Sequence, residues 1–173
     1  MQTRLTDQAA QNSGVSQAEL ERLSTVARQA ATAGALELKR LFGRLERIRE
    51  KGRAGDLVTE ADVAAEQAVL TVLSEATPEL GVLAEESGRK EGQGSDLQWC
   101  VDPLDGTTNY AHGYPFFGTS IGLTWRGQPL LGALAVPALD RLYWAAPGLG
   151  AWCNDAPIQV SGCTSLGESL LVT

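Results

Sequence analysis

The spacing of apolar residues changes once along this chain, near residue 80, and that change restricts the folds open to it. Before it, apolar side chains recur every three or four residues. Leu20, Leu23, Ala27, Ala30 and Ala31 make one such series, and Val63, Ala64, Ala68, Val69, Val72 and Leu73 a second. This is the period of helices with one buried face. After residue 80 the apolar runs are short and split by turn-forming residues, as in strands. Two long helices followed by a meander predict an α+β fold, with the helices packed on an antiparallel sheet.

Start and stop signals give the boundaries. Ser16 followed by Glu19 is a capping box, opening a helix from about 16 to 42 that ends near Gly43. Thr59, with Asp62 three residues on, opens the second helix, and Pro78 marks its exit. Residues 1–14 are polar and end in Ser13-Gly14, so a flexible tail is expected there, with one domain over 15–173. Arg44 to Gly55 is charged and contains Gly52 and Gly55; it reads as a mobile loop or as a hairpin. Strands are predicted at 81–84, 97–101, 119–125, 129–136, 141–145 and 151–153, with turns at Arg126-Gly-Gln128 and Asn154-Asp155. A last strand begins at Ser169.

Composition narrows the function classes. Hydrophobic residues at 43% and charged residues at 20% fit an ordinary globular chain. The net charge of −7, from 14 basic and 21 acidic residues, argues against a broad nucleic-acid or anionic-membrane surface. It leaves room for a phosphorylated small molecule, because a bound cation reverses the local field. Three cysteines without a Cys-x-x-Cys pair, and the lone His112, indicate neither a disulfide framework nor zinc. No apolar run approaches membrane-spanning length, and Met1 to Asn12 holds no hydrophobic signal segment. The expectation is a cytoplasmic protein with no membrane partner.

The chemistry lies in two segments. Glu85-Glu86 closes one predicted strand, and Asp102-Pro-Leu-Asp105-Gly-Thr-Thr108 follows another. Clustered carboxylates suit Mg²⁺. Pro103 stiffens the exit from the strand, and Gly106 lets backbone approach a ligand closely. The hydroxyls and amides of Thr107 and Thr108 suit a phosphate. An Asp-rich capping turn is an equally common reading of that spacing alone. The acidic pair at 85–86 tips the balance, because both segments can meet at one sheet edge.

Trp99-Cys-Val-Asp-Pro-Leu-Asp-Gly-Thr-Thr-Asn-Tyr-Ala-His-Gly-Tyr-Pro115 closely resembles the signature of the inositol monophosphatase family. Asp56-Leu-Val-Thr-Glu-Ala-Asp62 and Leu83-Ala-Glu-Glu-Ser87, with Ala84 in place of glycine, are similar to two further family segments. Ser169 to Thr173 matches in register. The resemblance runs from about residue 16 to the end. It implies the N-terminal half of a layered αβαβα sugar-phosphatase fold.

By position, the resemblance implies that Glu85, Asp102 and the Leu104 carbonyl bind one Mg²⁺, helped by the Thr107 hydroxyl. Asp102 and Asp105 would hold a second. Glu85 and Thr107 would activate water, supported by Asp62. Asp105, Gly106, Thr107 and Thr108 would meet the substrate, and Lys51 would sit on a loop nearby. The implied reaction is Mg²⁺-dependent hydrolysis of a small phosphorylated sugar or cyclitol, inositol monophosphate first. Fructose 1,6-bisphosphate, 3′-phosphoadenosine 5′-phosphate and histidinol phosphate are the alternatives. A homodimer is also implied.

The family's C-terminal half, with its Trp-Asp-x-Ala-Ala-Gly motif, has no counterpart here. The expectation is therefore a partial chain of low or no activity; the alternative is a non-catalytic fragment with partial metal binding or an assembly role. Outside the site, the blander readings are favoured. His112 reads as structural, Trp99, Trp125, Trp144 and Trp152 as core or interface, and Cys100 and Cys153 as buried thiols. Lys51 and Asp56 read equally well as ordinary loop charges.

Overall fold

The computed structural model describes residues 2–44, 48–50 and 57–169. Three helices come first: α1 (Gln2–Ser13), α2 (Gln17–Leu41) and α3 (Glu60–Ala76). Between α2 and α3, strands β1 (Ile48–Glu50) and β2 (Leu57–Thr59) pair antiparallel, while most of Arg44 to Gly55, read from sequence as a loop or a hairpin, lies outside the described residues. An eight-stranded sheet follows. It comprises β3 (Gly81–Ala84), β4 (Gly88–Lys90), β5 (Leu97–Asp105), β6 (Gly118–Trp125), β7 (Gln128–Val136), β8 (Arg141–Ala146), β9 (Gly150–Cys153) and β10 (Ala156–Pro157). A short helix, α4 (Thr107–Ala111), interrupts it after β5.

The helix ends form where the side chains allow. Ser16 accepts a hydrogen bond from the Glu19 amide, and Gly43 takes the left-handed conformation (φ +72°) that stops α2. Thr59 and Asp62 form the reciprocal capping box of α3.

Helices α2 and α3 lie against one face of the sheet. The alternation of β5 and β6 turns Trp99, Val101, Ile121 and Leu123 toward them, into one core with Leu23, Ala27, Ala30, Val69 and Leu73. The buried Trp99 indole donates to Thr77 Oγ1 at 3.0 Å, so its polar atom is satisfied. Burying these side chains contributes roughly 1.5–3 kcal/mol each for the large ones.

Three expectations need correction. Residues 2–13 are helical rather than a loose tail, and Ala9 and Ala10 are buried in the core, with α1 resting on β7. The sheet is mixed rather than antiparallel, because β3 and β5 run parallel, with Ala84 opposite Val101. Cys100 is half-buried, since it lies on the opposite face from Trp99 and Val101; Cys153 is buried as expected. The strand predicted from Ser169 falls mainly on residues 170–173, outside the described residues, and Ser169 itself follows a 3₁₀ turn at Leu166–Glu168.

One close approach positions the site. At Gly34, α2 comes so near β6 that an added Cβ would lie 2.7 Å from Thr119 Cγ2 and 2.9 Å from Val69 Cγ2. The Thr119 hydroxyl donates to the Pro103 carbonyl at 2.9 Å, inside the acidic turn. Gly34→Ala is expected to cost about 1–3 kcal/mol by overpacking. Urea unfolding checks it; a midpoint equal to that of the unchanged protein would show that the helix can shift freely.

Candidate active site

Parallel pairing brings the acids together. Ala84 sits opposite Val101, so the next residues, Glu85 and Asp102, leave the same sheet end side by side. The Glu85 amide extends the ladder by donating to the Val101 carbonyl at 3.1 Å. The two side chains share a hydrogen bond. Burial first, then the charges of Glu85 and Asp105, push the Asp102 carboxyl up to about 7. Asp102 therefore retains its proton up toward neutrality.

Asp105 is placed differently. The ladder between β5 and β6 is regular as far as Asp102 opposite Ser120, then shifts before Asp105 opposite Gly118. This bulge leaves Asp105 exposed on the flank, where it acts on Asp102 through its charge. Among the described residues no three His, Cys, Asp or Glu side chains close into a metal-holding group. The arrangement is an acid pair with Asp105 beside it. It fits a hard cation because positive charge would relieve the crowding that raises Asp102, and because carbonyl and hydroxyl oxygens of Leu104 and Thr107 lie on the same turn.

Asp62 ties this turn to α3. Its Oδ2 accepts the Thr59 amide at 2.7 Å and the Thr59 hydroxyl at 2.6 Å. Its Oδ1 lies 3.2 Å from the Thr107 hydroxyl, which is also 2.9 Å from the Leu104 carbonyl. Burial raises the Asp62 carboxyl, and the hydrogen bonds from Thr59 and Thr107 oppose that rise. With its proton committed to Asp62 or Leu104, the Thr107 oxygen keeps lone pairs to offer elsewhere.

Gly106 is required by the geometry. Its φ is +89°, and a Cβ there would lie 3.1 Å from the Phe116 carbonyl. Beyond it, α4 is pinned from below. The Tyr110 hydroxyl donates to the Leu38 carbonyl at 2.8 Å, and Tyr110, Phe42 and Phe117 pack ring on ring at 4.7–5.2 Å. The first amides of any helix lack intrahelical partners, so those of Thr107 and Thr108 are available in principle to an anion.

Of the residues singled out in the sequence, Glu85, Asp102, Leu104, Asp105, Gly106, Thr107, Thr108 and Asp62 all belong to this one neighbourhood. Lys51 and Asp56 lie outside the described residues. His112 is exposed and turned back on its own helix, with Nδ1 2.8 Å from the Thr108 carbonyl, which agrees with a structural role. Glu66 was missed. It is 4% exposed, and it accepts the amides of Glu86 and Ser87 at 2.9 Å each. In sequence it is one more Glu on an amphipathic helix, and only its place one turn after Asp62 hinted otherwise.

Helices on one face of a mixed sheet, with an acid pair and a Gly-Thr-Thr turn at one strand end, define an α+β protein of the layered helix-on-sheet class. Comparison with known proteins narrows the class. The model of the inositol monophosphatase family matches residues 19–173. An inositol-1-monophosphatase from Synechocystis is 44% identical over 165 residues, which cover 95% of this chain and 58% of the relative. A fructose-1,6-bisphosphatase/inositol-1-monophosphatase from Aquifex aeolicus is 42% identical, covering 88% of this chain and 58% of the relative. The crystal structure of the extragenic suppressor protein SuhB from Bartonella henselae superposes with a TM-score of 0.78 at 40% identity, over 82% of this chain and 55% of that one. The chain belongs to the inositol monophosphatase family. It spans a little under three fifths of the length of these curated relatives. Among the described residues no helix is long and apolar enough to cross a membrane.

Proposed function

We propose that this chain carries the metal- and phosphate-binding half of an Mg²⁺-dependent phosphomonoesterase whose first substrate is inositol monophosphate. The observation that carries the reading is the meeting of Glu85 and Asp102 at one sheet end, beside the Asp62–Thr107 contact. Glu85, Asp102 and the Leu104 carbonyl would hold one Mg²⁺, and Asp102 with Asp105 a second, weaker site. When bound, Mg²⁺ supplies Lewis-acid charge to the phosphoryl oxygens and lowers the pKa of water.

The chain's own residues supply the rest. Thr107, held by Asp62 and the Leu104 carbonyl, presents an oxygen that orients the attacking water. Glu85 accepts its proton. The amides at Gly106 and Thr107 donate to phosphate oxygens as charge builds there. Inositol monophosphate leads because the Synechocystis relative is named for it; the Aquifex relative's name keeps fructose 1,6-bisphosphate as the second substrate. A cytoplasmic homodimer is the expected setting.

The test is phosphate release from inositol 1-phosphate with and without Mg²⁺, beside Mg²⁺ titration calorimetry of this chain. Failure to take up Mg²⁺ at pH 8 would sink the reading. Mg²⁺ uptake without turnover by these 173 residues would favour the non-catalytic alternative for this length of chain.

A pH dependence follows. Mg²⁺ competes with the proton that Asp102 retains up to about pH 7. Apparent affinity is expected to rise with pH, by up to about tenfold per unit below 7, and to level off above it. Calorimetry in buffers of different ionisation enthalpy would show about one proton released per ion at pH 6.5. A flat profile from pH 5.5 to 8 would mean that the pair does not bind the ion.

A further inference from the structure

A carboxylate as deeply buried as Glu66 is costly unless its oxygens are well bonded. Here each oxygen takes a separate amide: Oε2 the Glu86 N–H and Oε1 the Ser87 N–H. Both donors lie in the turn immediately after Glu85. The Glu85 amide is itself fixed, on the Val101 carbonyl. Three successive amides are therefore held, the first by β5 and the next two by α3. The backbone that carries the Glu85 side chain is clamped from both sides.

Asp62 and Glu66 are four residues apart, so they lie on one face of α3. Asp62 reaches the Thr107 hydroxyl of the glycine turn, and Glu66 reaches the turn after β3. One helix face thus contacts both segments that supply the site. We propose that Glu66 is a positioning residue: it sets the Glu85 carboxylate against Asp102 by holding the amides of residues 86 and 87. The inference rests on the reading of the Glu85–Asp102 pair as a cation site. Glu66 touches no substrate and makes no contact with the reacting atoms.

A merely structural role for Glu66 would lower stability and leave the site's affinity unchanged. Glu66→Gln separates the two, because it keeps the size and one accepting oxygen but turns the other position into a donor facing a donor. Leu73→Ala, a buried change on the same helix away from the turn, is the destabilised control. Mn²⁺ is the probe, titrated into the full chain. Amide hydrogen exchange at Glu86 and Ser87 is read in the same samples without metal.

Glu66→Gln is expected to speed exchange at those two amides and to weaken Mn²⁺ binding by about 10- to 100-fold, the range for groups that orient metal ligands. Leu73→Ala is expected to change neither. Equal Mn²⁺ affinity in Glu66→Gln and the unchanged protein would overturn the proposal. So would equal weakening in Leu73→Ala. If the unchanged protein takes up no Mn²⁺, the cation reading of the pair fails, and the assigned role of Glu66 in ligand placement fails with it. Faster exchange in Glu66→Gln would then mark a clamp on the turn alone.

Discussion

Asp102→Asn is expected to weaken Mg²⁺ binding by more than about 100-fold, beyond the range for groups that only orient a ligand. The amide keeps the shape of the carboxylate but has no charge to give the ion. The same change should stabilise the metal-free protein at pH 8. Asp102 has a folded-state pKa near 7 against an ordinary value of 3.8. The folded chain therefore holds the proton more tightly than the unfolded chain between those values, and this group's contribution to stability falls as pH rises through them. Removing the ionisable group removes that loss. Asp102 is only half-buried, so solvent screening reduces the gain to the order of 1 kcal/mol, or about 2–4 °C in Tm. Thermal melts at pH 5 and pH 8 with and without Mg²⁺ would check both halves. A variant that melts below the unchanged protein at pH 8 without metal would contradict the crowding argument.

Asp62→Ala is the second large effect, and it falls on fold and site together. The substitution removes the Asp62 side of the α3 capping box, while Thr59 keeps its bond from the Ala61 amide. It also strands the Thr59 hydroxyl and amide in a buried position, at about 1–3 kcal/mol for an unsatisfied group. A total near 2–5 kcal/mol is expected in urea unfolding. The Thr107 hydroxyl would lose its contact with Asp62 and keep the Leu104 carbonyl. For the folded fraction, kcat should then fall more than the KM for inositol 1-phosphate rises, because Thr107 orients water rather than binding the sugar. A loss of stability with kcat unchanged would restrict Asp62 to capping.

The helix starts at Ser16 and Thr59, the Arg126–Gly127 hairpin and the positions of β3 and of β5 to β9 were legible in sequence, because each has a local chemical cause; the short edge strands β4 and β10 were not. The meeting of Glu85 with Asp102 was legible too, as two strand ends at one edge. Strand direction was not: an apolar run such as Gly81–Ala84 reads the same whether its neighbour is parallel or antiparallel. The placement of Asp105 depends on a bulge, and no residue type between Asp102 and Asp105 announces where the register shifts. Helix α1 was hidden by its polar composition, with Ala9 and Ala10 as its buried contacts among the described side chains. Glu66 was hidden because its partners lie 20 and 21 residues away, across the core.

The alignment of Ala84 with Val101 also governs which changes of chain length the protein can absorb. The acids are set by strand pairing and not by the length of the segment joining the strands. Extra residues at Gly94, where the chain is exposed and a side chain would meet nothing within 4 Å, should leave Glu85 beside Asp102. Longer closure there costs only about 0.6 kcal/mol per doubling. Deleting a single residue within Gly81–Ala84 is a different matter. It would turn Glu85 to the opposite side of the sheet and take its two clamped amides away from α3. The site is thus tolerant of insertion in its connections and intolerant of any slip in its strands.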